Sequence, residues 1–189
     1  MAGSLQEGLV FLIRTVIDLY LFVLIIRFLL AAVHADYFNP LTQLAARLSN
    51  PIILPVRKII PNIYRLELSS LVMIYMINML KFIVIALLSS MAINIGGLLV
   101  IALGDMLHLF LQAMTVALFL YVILSWVQPF SPIQRALQQI VSPLVSPFQR
   151  IMPPVAGFDL SIIPAFIVLQ LIGIVLINPI IQWGMMLSS

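Results

Sequence analysis

Apolar residues fill four windows along the chain, each long enough to cross a bilayer, which takes about 20 mostly apolar residues. They run from about Leu9 to Val33, Leu68 to Ser90, Leu98 to Val127 and Leu160 to Leu187. Gly96 and Gly97 mark the break between the second and third, and the third window has the length of a tilted or broken helix. The pattern predicts an all-α membrane protein with four transmembrane helices. The first window is no signal peptide, because no Lys or Arg precedes it and its apolar run exceeds an h-region.

Two polar connections, 39–66 and 131–158, separate the windows pairwise and carry helix signals of their own. Asn39-Pro40 and Ser131-Pro132 are N-cap and first-turn proline pairs, which start helices. Leu41, Leu44, Ala45 and Leu48 then recur on one face, as do Ile133, Ala136, Leu137, Ile140 and Val141, with Arg47, Gln134, Arg135, Gln138 and Gln139 off those stripes. Asn50-Pro51 and Ser142-Pro143 repeat the start signal, and Pro55 and Pro147 are expected to cut that turn short before a second brief amphipathic turn. These segments are too short to span and too apolar to leave the membrane. One reading lays them in the headgroup layer, with Arg57, Lys58 and Arg150 beside anionic lipid phosphates. The other makes them a re-entrant pair lining a path, which requires protein or water around their backbone.

The connections are copies. At a constant offset of 92 residues, Pro40, Pro51, Pro55 and Pro61 fall on Pro132, Pro143, Pro147 and Pro153, while Ile59, Leu68 and Ser69 fall on Ile151, Leu160 and Ser161. Lys58 falls on Arg150 and Glu67 on Asp159; upstream the offset becomes about 98, because the first copy has extra residues around Ala31 to Tyr37. Residues 1–97 and 98–189 thus read as two repeats, each span, Pro-rich amphipathic connection, span. Two spans per copy make them parallel repeats.

Composition narrows the class. The chain is 63% hydrophobic and 8% charged, against roughly 25% charged in a soluble domain, so the bilayer is its solvent. No cysteine is present, which excludes thiolate chemistry and cysteine-ligated metals. Six Lys and Arg lie in the two connections (Arg47, Arg57, Lys58, Arg65, Arg135 and Arg150), and none lies in the tails or the turn near Gly96. By the positive-inside rule both connections are expected in the cytoplasm and both termini outside. No basic run suited to nucleic acid appears.

Each ionisable group within a span costs about 2.5–3.5 kcal/mol and is by default a functional candidate. The first span holds Arg14, Asp18 and Arg27. Arg14 and Asp18, four apart, share a helix face and can pair, while Arg27 is expected to snorkel. The second span holds Asn78 and Lys81; the third carries Asp105, His108, Gln112 and Thr115 as a polar stripe; the fourth has Gln170, Asn178 and Gln182. These residues either bind the helices together or form a hydrated ion path or proton relay with Asp18, Asp105 and His108 as its titratable members, or a partner-binding face. Asp105 follows Gly97 by only eight residues, which puts it toward the outer surface. His34, beside Asp36, reads as a surface residue. Two separated histidines make no metal site, and with no nucleophile pair or phosphate loop no cofactor is implied and an enzyme is not expected.

The Arg at the end of the first span, the Pro-x3-Pro-x-Arg motif, a further Pro and an acidic-x-Ser opening the next span together resemble the YggT family of bacterial inner-membrane proteins. Here they are Arg27, Pro51, Pro55, Arg57, Pro61, Glu67 and Ser69, and in the second copy Ser125-Trp126, Pro143, Pro147, Arg150, Pro153, Asp159 and Ser161. Glu67 stands where the family has Asp, Gln149 where it has the second Arg, and Ile162 where it has Pro. The resemblance implies an inner-membrane location and links to ion homeostasis under osmotic stress, to nucleoid distribution and division, and in plastids to haem attachment. Two functions follow as expectations: a polar intramembrane path serving ion homeostasis, completed by homo-oligomerisation, or a scaffold recruiting a membrane protein partner or lipid through its amphipathic segments.

Overall fold

The computed structural model describes residues 2–60, 67–89, 94–152 and 159–188. Helices run in the order α1 (Ala2–Ala32), α2 (Pro40–Arg57), α3 (Leu68–Leu88), α4 (Ile95–Val127), α5 (Pro132–Ile151), α6 (Ile162–Ile172) and α7 (Asn178–Ser188), with a π-helical turn, Gly173–Ile177, joining the last two. Among the described residues no strand occurs. Four helices are long and apolar enough to cross a bilayer: Ser4–Ala32, Leu68–Leu88, Ile95–Val127 and Ile162–Ser188. This is an all-α, multi-pass membrane protein. Pro61, Pro153 and Ser90 lie outside the described residues.

Two interactions calibrate the bundle. Gln6 donates to the Leu88 carbonyl at one end of the α1–α3 pair, and Arg27 binds Glu67 at the other. On each helix these contacts are 21 residues apart, about 31 Å of helix at 1.5 Å per residue, which matches a hydrocarbon core of about 30 Å.

The proline helix starts form as expected: the Asn39 side chain accepts from Leu41 N at 2.9 Å, and Ser131 accepts from Gln134 N at 3.1 Å. Asn39 Nδ2 also donates to the Pro132 carbonyl at 2.5 Å, so the equivalent starts of α2 and α5 touch. The later prolines do not end these helices. Pro51, Pro55, Pro143 and Pro147 are internal to α2 and α5. All four lie on exposed surface, so the helical hydrogen bonds they forfeit open outward. The inner stripes stay packed: Ala45, Ser49 and Ile53 on α2, and Ala136, Leu137, Ile140, Val141 and Val145 on α5. Leu44 and Leu48 are exposed and Gln134 is buried, the reverse of the expected faces.

Gly96 and Gly97 do not separate spans either. Asn94 caps α4, accepting from Gly96 N at 3.0 Å, and the helix continues unbroken to Val127. Gly97 instead lets α7 approach α4: a Cβ there would sit 2.7 Å from Ser188 N and 2.9 Å from the Gly184 carbonyl. Gly184 returns the contact, its Cβ position being 2.7 Å from Ile101 N. Small residues at such points let membrane helices pack backbone to backbone.

The fourth span is interrupted by the π turn. Pro179 lacks the N–H that would bond the Val175 carbonyl, and its ring crowds that carbonyl; the extra residue of the π turn relieves both. Past α1, His34 takes φ 55°, the left-handed position that closes a helix, with Ala35 N bonded to the Leu30 carbonyl at 2.9 Å. His34 is exposed, as expected.

Candidate functional site

Four charged side chains from three helices meet inside the bundle. Lys81 on α3 is completely buried, and its Nζ lies 2.6 Å from Asp18 Oδ1 on α1 and 2.6 Å from Asp105 Oδ2 on α4. Arg14, one turn from Asp18, is 3.8 Å from Asp18 Oδ2 and 3.6 Å from Asp105 Oδ1. The expected Arg14–Asp18 pair is therefore present but loose, and both carboxylates give their short contacts to Lys81. The cluster contains two cations and two carboxylates. Lys81 is seven residues from the Leu88 end of α3 and Asp18 nine residues from Arg27, so the charges lie about 10 Å or more from either end of the pair. Asp105 is buried within the bundle, ten residues into α4.

A ladder of polar contacts joins α3 to α4 at this level. Tyr75 donates to the Leu99 carbonyl at 3.1 Å, Asn78 to the Ala102 carbonyl at 2.7 Å, and Lys81 to Asp105. Tyr75 was not among the expected site residues, although its three-residue spacing from Asn78 was available as a signal. The polar stripe of α4 divides: Asp105 faces inward, while Gln112 is exposed and 3.2 Å from His108 Nε2. His108 Nδ1 is buried without a hydrogen-bond partner.

Beside the cluster lies a cleft of about 780 Å³ between α3 and α7, with α1 and α4 at its back. It exists because α7 packs on α4 and, among the described residues, makes no contact with α1 or α3. Arg14, Asp105, His108 and Asn178 reach it from the polar side. Toward the α2 and α5 end the cluster is closed by an apolar layer that includes Leu21, Leu24, Ile25, Phe28 and Leu109. Gln170 is not brought in; it is exposed on α6, which touches neither α1 nor α3.

Arg27 does not snorkel. Its Nε and Nη2 bind Glu67 Oε2 and Oε1 at 3.2 and 3.1 Å, and Nη1 donates to Ser49 Oγ at 2.7 Å and to Asn50 Oδ1. Folding α2 back onto α1 supplies the two acceptors that make burial tolerable. Ser49 and Asn50 were missed because no local pattern marks them as partners of Arg27. Ser70 Oγ donates to Glu67 at 2.6 Å, and Arg57 lies 3.9 Å away. Burial pushes the Glu67 carboxyl up, but Arg27, Ser70 and Arg57 outweigh it and hold the group below its ordinary range. The second copy puts an uncharged donor in the equivalent place: Gln149 Nε2 donates to Asp159 Oδ2 at 2.6 Å, the positions equivalent to Arg57 and Glu67. Lys58 and Arg150 are exposed beyond these networks.

The CCB3/YggT family model matches residues 6–88 and again residues 100–180. The chain belongs to this family. The double match fits the tandem copies. The chain is 37% identical to an uncharacterized protein of Pseudomonas aeruginosa, covering 93% of this chain and 91% of that one. It is 36% identical to an uncharacterized protein from the proC 3' region of Vibrio alginolyticus, covering 87% and 91%. To the uncharacterized YggT of Escherichia coli it is 35% identical over 88% and 86% of the two chains. No solved structure matches.

Proposed function

We propose that this CCB3/YggT family member is a non-enzymatic protein of the bacterial cytoplasmic membrane that serves ion homeostasis and osmotic-stress tolerance. Its charged cluster is the point at which a proton or small cation engages the bundle. The observation that carries this reading is Lys81, fully buried and clamped between two carboxylates at 2.6 Å each, beside a cleft that reaches Asp105 from one end. Such a cluster is expensive in a bilayer and marks ion pathways and relays more than mere adhesion. In this reading α2 and α5 face the cytoplasm, Arg57, Lys58 and Arg150 contact anionic headgroups, and self-association completes the path. The test is flux of K⁺, Na⁺ and H⁺ in liposomes containing the purified protein. Flux that is lost in Asp18→Asn and Asp105→Asn is expected; absence of flux under pH and osmotic gradients overturns the reading.

A scaffold role is the second reading. It is favoured by the outward face of α2, where Leu44, Leu48, Leu54 and Arg57 are all exposed. Neutralising Arg57, Lys58 and Arg150 then abolishes partner crosslinking while insertion is retained. Unchanged crosslinking counts against it.

A further inference from the structure

The Arg14 guanidinium is the unsatisfied member of the charged cluster. Among the described residues it makes only the two ion pairs at 3.6 and 3.8 Å, with no hydrogen bond; about half of its side chain (54%) is exposed, and it lines the cleft. It lies eight residues from Gln6, about 12 Å into α1 from that end. At such depth a guanidinium with five N–H donors needs acceptors. His108 lines the same cleft and keeps an unpartnered buried Nδ1. Apart from Asp105, Asn178 and Ser188 the remaining walls are apolar, with Phe82 and Ile85 on α3 facing Ile101 and Ile181. A volume of about 780 Å³ is that of a small-molecule site, typically about 300–1,000 Å³.

Charge selects the kind of headgroup. Arg14 and Lys81 are already balanced by Asp18 and Asp105. An anionic headgroup on Arg14 would stand against the Asp105 carboxylate, and a cationic one against Arg14 itself. We infer that the cleft binds an uncharged membrane amphiphile whose carbonyl oxygen accepts from Arg14 while its apolar body lies between α3 and α7. A quinone ring and the ester groups of a diacylglycerol both present this chemistry. The inference does not depend on ion flux, since a ligand site here is compatible with either function proposed above.

The experiment is equilibrium binding to the purified full chain in detergent. The probes are a decyl-substituted benzoquinone, dioctanoylglycerol, and dioctanoyl phosphatidate as the anionic counterpart. Saturable one-to-one binding of at least one neutral probe is expected, weakened tenfold or more by Arg14→Gln and by Ile85→Trp, with the phosphatidate weaker. Which neutral probe binds identifies the source. Binding of neither, binding that both variants leave unchanged, or preference for the phosphatidate overturns the inference. Should Arg14→Gln fail to fold, Ile85→Trp decides, since it exchanges one apolar wall residue for a larger one.

Discussion

Lys81 is the residue on which the first half turns. Removing one partner of a buried ion pair leaves an uncompensated charge and costs about 3–5 kcal/mol. Lys81→Met is therefore expected to destabilise the protein by that amount in detergent unfolding, and Lys81→Met combined with Asp18→Asn and Asp105→Asn to recover part of it. Glu67 gives a pH dependence of definite sign. Its carboxyl is held below the ordinary value of 4.5, so its contribution to stability is fully present above that value and is lost as pH falls through the lowered one. The difference in thermal stability between the native chain and Glu67→Gln should be constant near neutrality and shrink in acid; a difference that grew in acid would contradict the pairing. Hydropathy already singled out Arg14, Asp18, Lys81 and Asp105, because an ion in an apolar run is anomalous by itself. The Arg14–Asp18 pair was legible from its spacing, but that the carboxylates of Asp18 and Asp105 both meet Lys81 was not. Lys81 and Asp105 are 24 positions apart, and only the packing of α3 on α4 sets that register.

At the scale of elements, capping chemistry was readable because it is local: Asn39-Pro40 and Ser131-Pro132 open helices in any context. The same local logic misread Pro51, Pro55, Pro143 and Pro147, where burial of the opposite face outweighs the lost bonds. It also misread Gly97. A glycine pair looks like a break in one dimension, whereas in three it marks the closest approach of two helices. Gly184→Ala is expected to cost about 1–3 kcal/mol by overpacking, because the new Cβ meets Ile101 backbone at 2.7 Å. Gly8→Ala, with nothing within 4 Å, should be neutral or slightly stabilising. Melting both in the same detergent separates a packing effect from a general loss of glycine.

For the whole molecule, the absence of native cysteine makes topology directly measurable. Ser4→Cys should react with an impermeant thiol reagent on intact cells and Ser146→Cys only after lysis; the opposite pattern reverses the orientation. The four spans were legible from apolar window length, with ends shifted by a few residues where capping, not hydropathy, decides them. The cleft was not, since it arises from a contact that α7 fails to make.

Although the two copies share an order of elements, their outer spans are fastened to α4 differently. α3 is held by a ladder ending in titratable groups, and α7 by bare backbone at Gly97 and Gly184. One seam therefore rests on charge and the other on close fit. Removing the Asp105 carboxylate by substitution therefore loosens α3 while α7 stays fixed, so the molecule opens from its first half.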